Sequence, residues 1–483
     1  MAYDAQKIYY RFDEHLSRLV LDYDASRQID DDSRRLYQEL PPSEYDEDLF
    51  SKYKVKRGLR NRDGSGVVAG LTRISNVHGY NKVDGVAYPD EGVLTLRGYN
   101  IDDLITNAEK EDRFGFEEVA YLLITGALPT QGELDDFCNR IGAFRHISTE
   151  YLAEFPITTV SSSIMNVLQR SVLLLYAFDS DPDNTSPEHE IDVALSLLAR
   201  LPRIAAYAYR SHEAQKTGDT ARIPTPDSSL STAETILTIL RDGNDYTHEE
   251  AKMLDVMLML HAEHGGGNNS TFTCRVLSSS GTDAYSAYAA AIGSLKGPLH
   301  GGANQKVTAM HKDIQEHVQN WDNDDELADY LTKILNKEAF DKKGLIYGMG
   351  HAVYTLSDPR AVICKRYAES LAEEKGFGDE FHLIESIERL TPELMRDVRG
   401  TTKPICANID LYSGFIYKML GVPETLCTPL FAVARTAGWA AHRMEELYGA
   451  RRIIRPAYVS IMDNSDYVPI AERTRQPQTD EKD

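Results

Sequence analysis

Three histidines, one aspartate and several arginines stand in segments whose neighbours suit chemistry. His300 lies within Gly-Pro-Leu-His-Gly-Gly-Ala-Asn-Gln-Lys-Val, residues 297–307, between two helix-breaking pairs. The helical pattern of 283–296 ends at Gly297-Pro298, because proline lacks an amide donor and biases its neighbour away from helix. A new helix can start near Ala303. A histidine just ahead of a helix N-terminus meets unpaired amides and the positive end of the macrodipole, which keep its ring neutral. A neutral ring donates a hydrogen bond to a carbonyl without supplying a full charge. Read alone, the plainer reading is a turn histidine facing solvent.

A second segment reads His261-Ala-Glu-His264-Gly-Gly-Gly-Asn268-Asn-Ser. Its histidines share a helical face, but the His-Glu-x-x-His spacing of a zinc hydrolase is missing. Three glycines ahead of Asn268 make a loop whose backbone can approach a small ligand, while His261 suits packing equally well. A third segment, Tyr347-Gly348-Met-Gly350-His351-Ala-Val, leads to Asp358-Pro-Arg360, which puts Arg360 in the first turn of a helix. The glycine pair lacks the rest of a dinucleotide fingerprint. In Asn408-Ile-Asp410-Leu-Tyr-Ser-Gly414, Asp410 interrupts an apolar run; taken alone it is an N-cap. Arg435 falls in an alanine-rich helical stretch, 431–448, where an arginine on the apolar face demands an anionic partner. Arg455 ends a basic run before Pro456, and the plain reading of that run is a solvated charged patch.

The elements that must hold these residues are mostly helical. Stretches 116–125, 132–144, 163–178 and 191–209 carry apolar residues at spacings of three and four. Thr247 and Glu250 form a capping box; Asp358-Pro359 starts a helix that Gly376 stops, and Thr391-Pro392-Glu393 starts another. Residues 4–21 also show helical spacing through Ile8, Phe12, Leu16 and Leu19. Short strands are expected at 67–77 and 93–96, with 88–92 as the turn between them. The ends 472–483 read as frayed.

The chain has 483 residues and a formal net charge of −23, enough for a large core in two or more lobes. That charge argues against nucleic acid and anionic membranes as general partners, so an anionic ligand must be held by local arginines. The five cysteines show no Cys-x-x-Cys and read as packing residues of a reducing compartment. No run is long enough to cross a membrane and no signal pattern opens the chain, which makes the cytoplasm the default location.

Taken in order, these segments resemble the citrate synthase family: His-Gly-Gly-x-Asn-x-Ser, Gly-Pro-Leu-His-Gly, Gly-x-Gly-His-Ala-Val, Asp-Pro-Arg, Asp-x-x-Ser-Gly and Arg-Pro, over about residues 66–460. The resemblance implies a nearly all-α fold. A large domain would span 61–301 and 421–465 and a small domain 302–420, with 1–60 an extension and 466–483 a tail. It also implies condensation of acetyl-CoA with oxaloacetate followed by hydrolysis of the citryl thioester. By position, Asp410 would be the base, His300 the donor to the thioester oxygen and His351 the group polarising the ketone. His264, Asn268, Arg360 and Arg435 would hold oxaloacetate, with Arg455 supplied by the other subunit of a homodimer, and Gly348 and Gly350 would lie at coenzyme A. No metal or further cofactor is implied. Many members have proline where Tyr347 stands. Propionyl-CoA, as in a 2-methylcitrate synthase, is the close alternative; a non-catalytic helical binding protein and a metal-dependent hydrolase using His261 and His264 are the others.

Overall fold

In the computed structural model, the residues described are 10–13, 18–21, 45–61, 63–84, 86–147, 151, 161–218, 224–241, 243 and 245–473, the first two stretches by backbone alone. Strands β1 (Tyr10–Asp13) and β2 (Arg18–Leu21) pair antiparallel. After α1 (Glu47–Lys52), strands β3 (Ser75–Val83), β4 (Val86–Leu96) and β5 (Tyr99–Asn100) make a three-stranded antiparallel sheet. The rest is helical: α2 (Ile101–Lys110), α3 (Phe116–Thr125), α4 (Gln131–Phe144), α5 (Ile164–Leu175), α6 (Pro187–Thr217), α7 (Thr232–Leu240) and α8 (His248–His261) come first. They are followed by α9 (Asn269–Ser278), α10 (Ala284–Leu295), α11 (Ala303–His317), α12 (Asp324–Leu335), α13 (Pro359–Lys375), α14 (Gly378–Arg399), α15 (Asp410–Met419) and α16 (Glu424–Glu445). The expected mainly α fold with a few short strands in the N-terminal part is what forms.

Helix α16 is the axle of the main core. Its residues from Leu426 to Ala441 are buried almost without break, and it packs against α3, α5, α6, α8, α9 and α10. Such all-round burial explains its composition, since alanine and glycine let neighbouring helices approach closely and alanine has the best intrinsic helix propensity. A second, smaller core joins α11, α12 and α14 through Met310, Ile314, Leu327, Leu331, Ile334, Leu383 and Ile387. Local signals place several boundaries as expected. Thr247 and Glu250 form the reciprocal capping box of α8, the Asp358 carboxylate caps α13, and Gly376 ends α13 at φ 77°.

Four expectations fail, the first being the strand at 67–77, which is irregular until β3 begins at Ser75. The helical spacing at the N-terminus does not produce a helix: 10–13 and 18–21 are strands. A spacing of four is even, so it fits a period of two as well as one of 3.6; residues 1–9, 14–17 and 22–44 of the expected extension lie outside the described residues. Residues 88–92 are not a turn but the middle of β4, which pairs with β3 from Ser75↔Leu96 to Val83↔Val86. Pro89 is tolerated there because it sits beside the irregularity between His78 and Tyr80, where the ladder is already broken. Nor does a helix start at Thr391, for α14 runs through Pro392. The missing proline donor is outweighed by the apolar face that Leu383, Ile387 and Leu394 bury in the small core. Of the expected tail, 474–483 lie outside the described residues.

Candidate active site

A cleft of about 930 Å³ is walled by His264, Asn268, His300 and His351 together with Leu59, Arg60, Gly66, Val67 and Ala69. Arg360, Arg435 and Asp410 are not part of that wall, but the two arginines act on it electrostatically. Arg435 bears on His300 and His264, and Arg360 on His351, His264 and Asp410. The named wall residues thus come from four separate segments of the chain.

His300 stands at the turn between α10 and α11. The Ser270 N–H donates to its Nε2 at 3.4 Å, and the Ser270 hydroxyl lies 3.1 Å from the same nitrogen. A backbone N–H only donates, so Nε2 accepts and the neutral ring carries its proton on Nδ1. Burial, followed by the charge of Arg435, lowers its pKa to about 4. The sequence assigned this neutrality to the helix N-terminus; desolvation is the larger cause.

His351 is held the opposite way. Its Nδ1 accepts the backbone N–H groups of Val353 at 3.0 Å and Tyr354 at 3.1 Å, so its proton sits on Nε2. Burial and then Arg360 lower its pKa to about 4. The glycines before it shape its loop. Gly348 and Gly350 have φ of 85° and 89°, values that favour glycine. Asn408 N donates to Gly348 O at 2.8 Å, Gly350 N to Cys406 O at 2.7 Å, and Asn408 Nδ2 to Gly350 O at 2.9 Å. These bonds stitch the His351 loop to the segment that introduces Asp410. A Cβ on Gly348 would meet the Leu411 backbone at 3.0 Å.

Asp410 does not cap α15. It is the first helical residue, and the Asn408 side chain accepts its N–H at 3.0 Å. The capping role expected of the aspartate is thus taken by an asparagine two residues earlier, which leaves the carboxylate unused by its own helix. Burial raises its pKa to about 6 against the opposing pull of Arg360.

Two buried arginines complete the cluster. Arg360 donates through Nε (3.1 Å) and Nη2 (2.7 Å) to the two oxygens of Asp358, which holds its pKa up although burial opposes its charge. Arg435 is fully buried and donates from Nε to His261 O at 2.7 Å. Its Nη1 and Nη2 have no hydrogen-bond partner among the described residues. Burial lowers its pKa to about 10 despite Glu263, and its guanidinium lies 4.6 Å over the Phe431 ring. His264 is buried with its ring 5.2 Å from that of His351 and its Nε2 3.3 Å from the Tyr354 hydroxyl. Burial first, then Arg360, pushes its pKa well below the usual range. Asn268 accepts the Ser270 hydroxyl at 2.9 Å. His261 turns from the cleft chemistry to pack on Phe431 and Tyr417. Arg455 is exposed on the segment 451–473 and is not one of this cluster. Among the described residues no group of three or more His, Cys, Asp or Glu side chains is arranged for a metal ion, and no helix is long and apolar enough to cross a membrane.

Sequence reasoning missed Tyr354, Phe431 and the Glu263–His442 pair behind the site, whose nitrogen and oxygen lie 2.8 Å apart. Tyr354 lies three residues past His351 in an irregular loop, where spacing says nothing about direction. The cleft and the charged residues behind it combine a guanidinium with two open nitrogens, two neutral imidazoles of opposite tautomer, and a carboxylate whose raised pKa suits it to accept a proton.

A family model described as the citrate synthase C-terminal domain matches residues 62–457. The citrate synthase of Synechocystis sp. is 35% identical over 411 residues, 85% of this chain and 93% of its own length. The 2-methylcitrate synthase 1 of Corynebacterium glutamicum is 34% identical over 431 residues, covering 88% of this chain and 100% of that one. A solved structure of citrate synthase from the archaeon Thermoplasma acidophilum, in ternary complex with carboxymethyl coenzyme A and oxaloacetate, superposes with a TM-score of 0.69 at 28% identity, covering 86% of this chain and 99% of that one. On sequence and fold alike, the chain belongs to the citrate synthase family, a family of enzymes with condensing, acyltransferase-type activity.

Proposed function

We propose that this enzyme condenses acetyl-CoA with oxaloacetate and water to give citrate and free coenzyme A. The observation that carries the reading is Arg435, a buried guanidinium with both terminal nitrogens unpartnered among the described residues, whose charge bears on the neutral His300 and His264, while Arg360 bears on Asp410, whose pKa is raised to about 6. An unpaired buried charge is costly, and an anionic ligand repays that cost. Oxaloacetate supplies two carboxylates, for Arg435 and Arg360, with His264 and Asn268 alongside.

The chemistry follows from the protonation states. Asp410 takes a proton from the acetyl methyl group while Nδ1–H of His300 donates to the thioester oxygen, so that an enol forms in place of a full carbanion. The methyl carbon then bonds to the ketone carbon of oxaloacetate, whose oxygen, polarised by Nε2–H of His351, takes up that proton as the C=O π bond breaks and stays in place as the tertiary alcohol of the citryl thioester. Water attacks the citryl thioester, the C–S bond breaks, and coenzyme A departs as the thiol. No group beyond the coenzyme A thioester takes part. Gly348 and Gly350 lie with the coenzyme, and the segment 302–420 closes over the two substrates as a small domain. The enzyme works as a homodimer in the cytoplasm, with Arg455 reaching the site of the other subunit; an active, stably monomeric species in sedimentation would overturn that arrangement.

Propionyl-CoA is the second reading, favoured by the Corynebacterium relative. Release of free coenzyme A from each thioester in the presence of oxaloacetate separates the two. The assignment of the base is tested by Asp410→Asn. The variant should bind oxaloacetate and lose about 10² to 10⁴-fold in rate, and it should fail to exchange acetyl-CoA methyl protons with deuterated solvent when a non-reacting oxaloacetate analogue fills the site. Exchange equal to that of the wild type would remove Asp410 from the mechanism.

A further inference from the structure

Tyr354 touches three members of the site by three different parts of itself. Its backbone N–H is one of the two donors on His351 Nδ1. Its ring lies against His351 with centroids 4.7 Å apart, and the Arg360 guanidinium sits 5.8 Å over its face. Its hydroxyl lies 3.3 Å from Nε2 of His264. The residue is 2% exposed, so that hydroxyl must place its proton inside the protein. Nε2 of His264 is the acceptor within reach among the described residues, and burial pushes the phenol's own pKa up, away from ionisation.

The sheet clamps the tyrosine in this position. Gly79 on β3 presses on its backbone so closely that a Cβ there would fall 2.6 Å from Tyr354 Cα. A Cβ on Gly92 of β4 would fall 2.1 Å from Ser357 O and 2.9 Å from the tyrosine ring. Asp90 N donates to Thr355 Oγ1 at 3.1 Å and Gly92 N to Ser357 Oγ at 3.0 Å, so the loop just past the tyrosine is pinned to the hairpin at two points. The irregularity between His78 and Tyr80 falls where β3 meets the loop. A residue held this rigidly transmits its hydroxyl geometry to whatever accepts from it.

We propose that Tyr354 is a positioning residue that fixes His264 in its Nδ1-protonated tautomer. The hydroxyl donates to Nε2, and the remaining ring proton on Nδ1 becomes a donor for the anionic substrate beside Arg360 and Arg435. This rests on the oxaloacetate reading above for its ligand, but the tautomer itself does not. The β3–β4 hairpin acquires a role on this account: it holds the tyrosine that orients the histidine.

The test is Tyr354→Phe, which keeps the ring on His351 and under Arg360 while removing the hydroxyl. In ¹⁵N-histidine-labelled protein near pH 7, wild-type His264 should show a protonated Nδ1 and a bare Nε2, and the variant a mixture of both tautomers. KM for oxaloacetate should rise about two- to ten-fold, with kcat falling by a smaller factor. Loss of packing alone would lower the thermal midpoint without moving the tautomer; Tyr354→Leu, which loses ring and hydroxyl together, should shift the tautomer as the Phe variant does and lower the midpoint further. A wild-type His264 protonated on Nε2, or a Phe variant with an unchanged tautomer, would overturn the proposal. Wild-type protein that shows the expected tautomer but releases no coenzyme A with either thioester would instead overturn the function and leave the positioning role intact.

Discussion

The two halves of α16 carry the same residue in the same degree of burial and use it in opposite ways. Arg443, near the C-terminal end, spends every guanidinium nitrogen. Nε and Nη2 bond the two oxygens of Glu190 at 2.7 and 2.6 Å, Nη1 bonds Ser278 Oγ at 3.3 Å, and Nη2 also reaches Thr282 O at 2.9 Å. Arg435, two turns earlier, spends only Nε. Both are 0% exposed. Burial opposes the charge of each, but Glu190 raises the pKa of Arg443, whereas Arg435 falls to about 10. A satisfied buried charge is part of the scaffold; one left open inside a rigid helix marks where a ligand must complete the bonding.

The contrast is sharpest under truncation. Arg443→Leu strands Glu190 in the core, and removing one partner of a buried pair costs about 3 to 5 kcal/mol, to be read from denaturant midpoints. A loss below about 1 kcal/mol would erase the distinction. Arg435→Leu should do the reverse, keeping or raising the thermal midpoint while weakening oxaloacetate by about ten- to a hundred-fold, since hydrogen bonds to charged groups contribute about 1.5 to 3 kcal/mol each. Calorimetric titration and thermal melts on the same sample decide it, and a lower midpoint with unchanged affinity would make Arg435 scaffold after all. Arg360→Leu should fall between them, losing both, because Asp358 is left buried without its bidentate partner.

A pH profile separates the base from the donors. Asp410 must be ionised to accept a proton, so kcat/KM should fall about ten-fold per unit below its pKa of about 6. His300 and His351, at about 4, stay neutral across that limb. A profile flat down to pH 5 would break the assignment. The smallest effect is on stability. The folded pKa of Asp410 lies above that of an unfolded aspartate, so its favourable contribution is present at low pH and is lost as pH rises through about 6. Asp410→Asn should therefore raise the thermal midpoint slightly at pH 8 and leave it unchanged near pH 4.

Some of what the chain declares locally, it declared correctly. The capping box at Thr247 and Glu250, the Asp358-Pro359 start and the Gly376 stop are made by residues within four positions of one another, so neighbours suffice to specify them. The ordered motifs likewise named the family, and four residues they carry, His264, Asn268, His300 and His351, line the cleft. Local pattern failed where two periods share a harmonic, as in the strands at 10–13 and 18–21, and where a distant core outweighed a proline, as in α14. Tertiary structure alone decided the rest. Whether Asp410 is a cap depended on Asn408 taking the N–H first; which nitrogen of His300 is protonated depended on Ser270, thirty residues away. That Arg435 is open and Arg443 closed depended on Glu190, on a different helix altogether. Composition determines how many charges must be buried, but only the packing of separated segments determines which of them find a partner, because a hydrogen bond is set by position to within a few tenths of an ångström and sequence spacing carries no such information across a loop.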